Sequence, residues 1–353
     1  ISFATKGVCR MQGVWVKELT EFKNLTVEEC PRPTMLKNQV RVAVQAAGVS
    51  FAQSLVVEGR YQRKMPLPFS PGSEIAGIVT EVGDATNRIK VGDRICAIVE
   101  WGGLAEEAVA YEANTFTLPG SLEFHRAICF TNSYSTSCAA LTWPHLLNVK
   151  GDDVLLVHGG AGGVGIAAIE IAKIQGTTVI ATVGSSEKVC VAKDHGADHV
   201  INYRKENFRD RVLDITDGIG VNAVYDPVGG EVFSQSLRCL APEGRIMPVG
   251  FAGGTIQQIP ANILLIKNAT VCGLNMGYYF GWSDKDVRDE FSPLMQQLLA
   301  KLFTWFEGGF LNPRVIQIFS LDDFQEAMAT VLGRWSQGRV AVVMGDEAKR
   351  LGK

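Results

Sequence analysis

A run of Val and Leu, a cluster of glycines and a run of Ile and Ala follow one another without a break in VLLVHGGAGGVGIAAIEIAK, residues 154–173. No other stretch restricts the fold so tightly. Gly160-x-Gly162-x-x-Gly165 places three glycines at the spacing of a strand–turn–helix phosphate loop. One permits the tight turn, one lets the backbone approach a pyrophosphate, and one allows close helix–strand packing. Gly163 and Val164 lie between them at the start of the helix, whose first amides are free to hold phosphate. A glycine pattern alone is weak, because packing alone also selects such turns. Here a strand precedes it, an amphipathic helix follows and a further strand comes next, which is the context of a dinucleotide-binding fold.

The rest of the chain is organised around that segment. Strand-like runs at Val154–His158, Thr178–Val183, His199–Ile201, Ala223–Tyr225, Arg245–Val249 and Thr270–Gly273 alternate with helical patterns such as Val164–Ile174 and Glu187–Asp194. That alternation predicts a parallel sheet covered on both faces. Before it, Val14–Leu19, Gln39–Ala46, Ile75–Val82 and Arg94–Val99 are short Val/Ile-rich runs separated by Gly and Pro turns, the texture of a small barrel or sandwich. A long helix is expected over Asp284–Glu307, opened by Ser283-x-x-Asp286 and closed by Gly308-Gly309. Residues 314–344 return to a strand–helix–strand pattern that completes the first domain. The expected fold is α/β, with a doubly wound Rossmann sheet (residues 124–312) inserted in a β-barrel domain (residues 1–123 and 313–353). A length of 353 residues suits two domains.

The end of the strand after the glycines reports on the ribose. A site for the unphosphorylated dinucleotide places an acid there to accept from the 2′-hydroxyl. Here the tip reads Thr182-Val183-Gly184-Ser185-Ser186-Glu187-Lys188. Ser185 offers a donor and Lys188 a charge one helical turn on, which suits the 2′-phosphate of NADPH. Glu187 is expected to point elsewhere on the helix.

The segments PFSPGSEIAGIV (68–79), VGDRI (91–95), GGLAEEAVA (102–110), GGAGGVG (159–165), TVGSSEK (182–188), GADHVINY (196–203), VYDPVGG (224–230) and GRIMPVGFAGG (244–254) resemble the zinc-free quinone oxidoreductase branch of the medium-chain dehydrogenase/reductase superfamily. The resemblance covers nearly the whole chain, from Gly13 to Met344. It implies a GroES-like catalytic domain and NADPH as cofactor. It further implies that Lys188, Tyr203 and Arg334 meet the 2′-phosphate, that Gly250 and Phe251 contact the cofactor, and that Thr136 lies near the nicotinamide. Tyr61 would be a tyrosine of the substrate site. With Tyr61 and Thr136, Ser50 is a candidate catalytic residue, although it departs from the family's common Asn, and Gln53 from its Asp. Metal-dependent relatives carry a Cys in the segment here reading Gly48-Val49-Ser50-Phe51, and Gly-His-Glu where this chain has Gly72-Ser73-Glu74. With serines in place of those ligands, no metal is expected, and alcohol oxidation without a Lewis acid is disfavoured.

The activity so implied is hydride transfer from NADPH to a quinone or other electron-poor acceptor. A 2-enal or enoyl-thioester reductase is the near alternative, and a non-catalytic NADPH-binding protein of crystallin or RNA-binding type is the further one. The resemblance also implies a homodimer paired through the strand Ala269–Leu274. A net charge of −3 argues against a general nucleic-acid binder, and no apolar run of about 18 residues suggests membrane insertion. None of the five histidines has ligand or triad spacing. Eight cysteines with no C-x-x-C are expected as buried free thiols. The opening ISFATKGVCR carries two basic residues, Ser and Thr, and no acid, a composition that fits the tail of a presequence as well as a plain terminus. Cytoplasm and mitochondrial matrix both remain open.

Overall fold

A computed structural model describes residues 10–333 and 337–353. The presequence-like stretch, apart from Arg10, and Arg334 lie outside the described residues. The chain forms two compact units. One comprises Ile1–Asn132, Gly277–Phe303 and Val315–Lys353; the other comprises Ser133–Met276 and Thr304–Arg314. Residues 124–132 and 277–303 thus fall with the first unit, although the sequence pattern places them in the second domain.

In the first unit, β1 (Arg10–Val14) pairs with β2 (Val27–Pro31). The main sheet is built on β3 (Gln39–Val49), an eleven-residue strand buried along almost its whole length. Its neighbours are β4 (Glu74–Val82) on one side and β6 (Glu107–Tyr111) on the other, and β4 carries β5 (Arg94–Ile98), which carries β7 (Thr115–Thr117). The C-terminal end of β3 pairs with β15 (Arg339–Val343), Val49 opposite Val340, and β15 carries β14 (Val315–Ser320). One strand can serve three partners because β6 takes its first half and β15 its last. Val42, Val44, Ile75, Ile95, Leu104 and Val342 fill the core between these strands.

The run Val14–Leu19 is not a strand as expected. Val14 donates to the Leu104 carbonyl and Val16 to that of Phe69. Both side chains are fully buried, so the alternating pattern records burial while the backbone changes partner from one loop to the next.

The second unit holds six parallel strands: β8 (Val154–Val157), β9 (Thr178–Val183), β10 (His199–Asn202), β11 (Val221–Asp226), β12 (Leu240–Pro248) and β13 (Thr270–Val271). Their spatial order is β10-β9-β8-β11-β12-β13. This is the doubly wound Rossmann order, and the direction of winding reverses between β8 and β11, where open α/β sheets bind their ligands. β13 is only two residues long, shorter than the Ala269–Leu274 strand expected, and it forms the sheet's edge.

The long helix begins at Arg288, four residues later than expected. The capping box does not form: Ser283 donates to the Lys285 carbonyl, while Asp286 accepts from the Arg288 amide at 3.1 Å and so caps the helix itself. Met295, Leu298, Leu299, Leu302 and Phe303 recur at helical spacing and are buried, whereas Leu294 is exposed. Among the described cysteines all are free and six are buried, but Cys190 is exposed. It lies on the solvent side of the helix Ser186–Asp194.

Where the chain returns to β3, a buried ion pair joins the two ends of the first unit. Glu74, fully buried at the start of β4, accepts from Arg339 at 2.5 Å and from the Asn132 amide at 3.0 Å. Arg339→Met leaves that carboxylate buried without its cation, and stability is expected to fall by about 3–5 kcal/mol in urea unfolding. Adding Glu74→Gln should restore part of the loss, because no charge then remains buried.

Candidate functional site

The phosphate loop lies where β8 meets the helix Gly163–Ile174. Gly162 caps that helix in an extended conformation, and Ile166 makes the first intrahelical bond, to the Gly162 carbonyl. The amides of Gly163, Val164 and Gly165 come before that bond and belong to the helix's positive end. Gly165 is fixed by contact: a Cβ there would stand 2.2 Å from the Gly159 carbonyl oxygen. The helix can start this close to the turn only without a side chain. This is a cradle of the shape a pyrophosphate needs.

The tip of β9 leads into the helix Ser186–Asp194, capped by Ser185. A Cβ on Gly184 would stand 2.5 Å from the Tyr203 hydroxyl, so the missing side chain lets the ring lie over the tip. Lys188 is half-buried. Burial, and then the neighbouring Arg204 guanidinium, push its ammonium below the ordinary lysine range. The two cations thus lie within electrostatic reach of each other at the tip where Tyr203 sits. Glu187 does not turn away as expected. A hydrogen bond from the Ser185 hydroxyl, then the helix amide and the Lys205 charge, hold its carboxyl below the usual range. The Ser185 proton is thereby engaged by Glu187, while its oxygen accepts from the Lys188 amide at 3.4 Å. Lys188, Tyr203 and Arg204 remain as the groups suited to a phosphate. Arg204 was missed in the sequence, although it directly follows Tyr203 in INYRKE.

Other expected residues gather at the same end of this sheet. Thr136 lies in the helix Ser135–Thr142. Its neighbour Ser137 donates to the Val164 carbonyl at 3.0 Å and shares a hydrogen bond with the Tyr225 hydroxyl, which ties this helix to the glycine loop. Gly250 and Phe251 follow β12. A Cβ on Gly229 would meet the Phe251 ring at 3.0 Å, so this loop lies against the one after β11. Asp226 shapes that second loop by accepting from the Val228 and Gly229 amides. His158 is locked between the Thr182 and Ser236 hydroxyls at 2.8 and 2.7 Å, and burial pushes it down to about 3. It is neutral at physiological pH and structural.

Tyr61 and Ser50 belong to the first unit, and the fold does not bring them to one cavity. Tyr61 lines a narrow cavity of about 40 Å3 with Gln53, Arg63, Ser73, Trp101 and Trp282. Burial raises its phenol above the ordinary range, so it is protonated at neutral pH. Ser50 instead precedes the helix Phe51–Val57 and does not line this cavity. Gln53 donates to the Gly48 carbonyl at 2.8 Å, which fixes its amide, and its oxygen has no partner among the described residues. The aromatic segment 277–282 divides its work. Trp282 lines the cavity, whereas Tyr278 and Tyr279 pack on Phe291 with ring centres 5.6 and 5.0 Å away. Arg63 also donates to Glu100 at 2.8 Å, a pairing that no motif signalled. Beside Ser73, the Glu74 carboxylate is already engaged by Arg339 and Asn132.

Comparison with known proteins agrees with this geometry. Residues 36–120 match the alcohol dehydrogenase GroES-like domain family, and residues 163–300 the family described as zinc-binding dehydrogenase. The chain is 39% identical over 308 residues to a quinone oxidoreductase-like protein 2 homolog of Nematostella vectensis, covering 86% of this chain and 81% of that protein. It is 36% identical to quinone oxidoreductase-like protein 2 of Bos taurus, covering 90% and 88%. The quinone oxidoreductase of Escherichia coli, solved in complex with NADPH, superposes with a TM-score of 0.82 at 28% identity over 94% of this chain and all of that one. With a GroES-like domain joined to a Rossmann-like one, the chain belongs to the quinone oxidoreductase branch of the medium-chain dehydrogenase/reductase superfamily.

Proposed function

We propose that this protein is an NADPH-dependent oxidoreductase that reduces a quinone or another electron-poor acceptor without zinc. The observation that carries this reading is the glycine cradle beside a cationic tip. Gly163–Gly165 offer backbone amides for a pyrophosphate, and Lys188, Arg204 and Tyr203 offer charge and a hydroxyl for a 2′-phosphate. The relatives named quinone oxidoreductase, one of them solved with NADPH, support the same reading. Gly250, Phe251 and Thr136 lie at the same end of the sheet and are assigned to the cofactor. Bound there, NADPH supplies a hydride from its nicotinamide, and the protein supplies position and electrostatics. Arg334 is kept as a further 2′-phosphate ligand on the family resemblance alone.

Zinc independence rests on the donor set. Ser50 and Ser73 offer neutral hydroxyls where thiolate and imidazole would be needed. On the substrate side, Tyr61 is assigned as the donor to the acceptor's oxygen. A phenol held protonated by burial can donate as negative charge develops on that oxygen. The same phenol suits a conjugated enone, and this favours C=C reduction as the second reading. Ser50, outside the Tyr61 cavity, is assigned only to the loop that leads into it.

A homodimer through the β13 edge is also proposed. A short edge strand needs cover. Leu265 and Ile266, in the helix just before it, are 78% and 75% exposed. A two-fold partner on this face would bury both.

Three outcomes test these assignments. Lys188→Ala should weaken NADPH by about tenfold to a hundredfold with little change for NADH, as measured by nicotinamide fluorescence titration. Because the Lys188 pKa is lowered, the preference for NADPH should fall as pH rises through a range below that of ordinary lysine. That slope should flatten in the variant; equal affinity of the wild type for both dinucleotides would refute the assignment. Tyr61→Phe should lower kcat by about tenfold to a hundredfold, with NADPH affinity unchanged. A large loss with an enone alone selects the C=C reading, and a small loss with both acceptors removes Tyr61 from the chemistry. The wild type should be a dimer in light scattering at micromolar concentration, and Leu265→Asp with Ile266→Asp a monomer.

A further inference from the structure

The first unit contains a second, larger cavity. It measures about 600 Å3, within the range of small-molecule sites. Trp15, Phe69, Trp101 and Tyr111 supply aromatic walls, and Pro31 and Pro33 form one edge. Phe69, Glu100 and Trp101 also line the Tyr61 cavity, so the two spaces share a wall. That wall is ion-paired. Glu100 accepts from Arg63 at 2.8 Å and from Arg288 at 2.8 Å, one guanidinium lining each cavity. A substrate entering the Tyr61 cavity would have to break this wall to reach the larger space. The two cavities are therefore best read as separate sites.

The charges around the larger cavity decide what it can hold. Arg288, 4% exposed, is bonded to Glu100 and Asp286, and its guanidinium lies 3.5 Å over the Tyr111 ring. Arg32 meets Glu107 in a two-pronged bond of 2.6 and 2.8 Å. Each of these cations is matched by a carboxylate of the protein itself. An incoming anion would meet the charges of Glu100 and Glu107 as well as their guanidiniums, whereas an uncharged molecule meets no like charge. Flat aromatic walls select a flat ligand.

We infer that this cavity is a second ligand site, distinct from the Tyr61 cavity, for a planar, uncharged aromatic molecule. The inference does not depend on the reaction proposed above. The probe is N-phenyl-naphthylamine, uncharged and fluorescent in apolar surroundings. Its anionic counterpart, anilinonaphthalene sulfonate, serves as the contrast. The uncharged dye should bind the full chain with one site per chain, and the anionic dye about tenfold more weakly. Thr34→Trp, at the exposed rim, and Val109→Trp, on the wall, should each weaken the uncharged dye by about tenfold or more, with circular dichroism and thermal midpoint unchanged for Thr34→Trp. No binding of the uncharged dye, equal binding of both dyes, or binding indifferent to both variants would overturn the site. Where acceptor turnover is measurable, the dye should not compete with the acceptor. Strict competition would make the cavity part of the acceptor site and overturn its independence. If no acceptor is turned over, the binding measurements still decide the matter.

Discussion

The second unit depends on one close approach. The backbone of Gly165 lies so near the Gly159 carbonyl that a methyl group at Gly165 would stand 2.2 Å from its oxygen. A single carbon there would push the helix off the strand. Because the helix starts against the turn, its first amides open at the end of β8, where the winding of the sheet reverses. Ser137 then bonds the Val164 carbonyl, and His158, kept neutral by burial, is held in place by Thr182 and Ser236. These contacts set the loop's position before any ligand arrives, so binding needs little reordering of this backbone.

The first unit solves a different problem. Its sheet must accept strands from both ends of the chain, and β3 does so by pairing with β6 at one end and β15 at the other. The Glu74–Arg339 pair secures the junction where β15 arrives. The same pair bears on the chemistry. Ser73 precedes Glu74 and faces the Tyr61 cavity, while the Glu74 carboxylate is taken up by Arg339 and Asn132. The segment that resembles a metal site in its position therefore presents a hydroxyl to the cavity and uses its carboxylate for structure.

Much of this was readable in the chain because two signals are local. Strand–glycine–helix context identified the phosphate loop, and alternation of apolar runs with helices identified all six parallel strands, one at both ends and the others with ends off by up to five residues. What was not readable depended on partners distant in sequence. Val14–Leu19 alternates like a strand, but Leu104 and Phe69, far along the chain, divide its hydrogen bonds. Asp286 outcompeted the expected box at Ser283 because its short side chain reaches the Arg288 amide directly. Arg204 stood in plain view beside Tyr203, yet only the return of β10 alongside β9 brings it to Lys188. Glu187 was misjudged because helix spacing says where a residue starts, whereas the N-cap serine two residues earlier bonds its carboxylate.

Charge separates the sites more sharply than shape does. At the tip of β9, burial and then the Arg204 charge make the Lys188 ammonium harder to keep, and a nearby dianion would oppose both effects. Around the large cavity of the first unit the setting differs. Arg32 and Arg288 each meet a carboxylate at hydrogen-bond distance, so an added anion would meet negative charge there as well. A lysine beside a second cation and guanidiniums paired with carboxylates are thus two different electrostatic settings for a ligand. A chain with a net charge of only −3 carries both, because what matters to a ligand is the balance within a few ångströms of it.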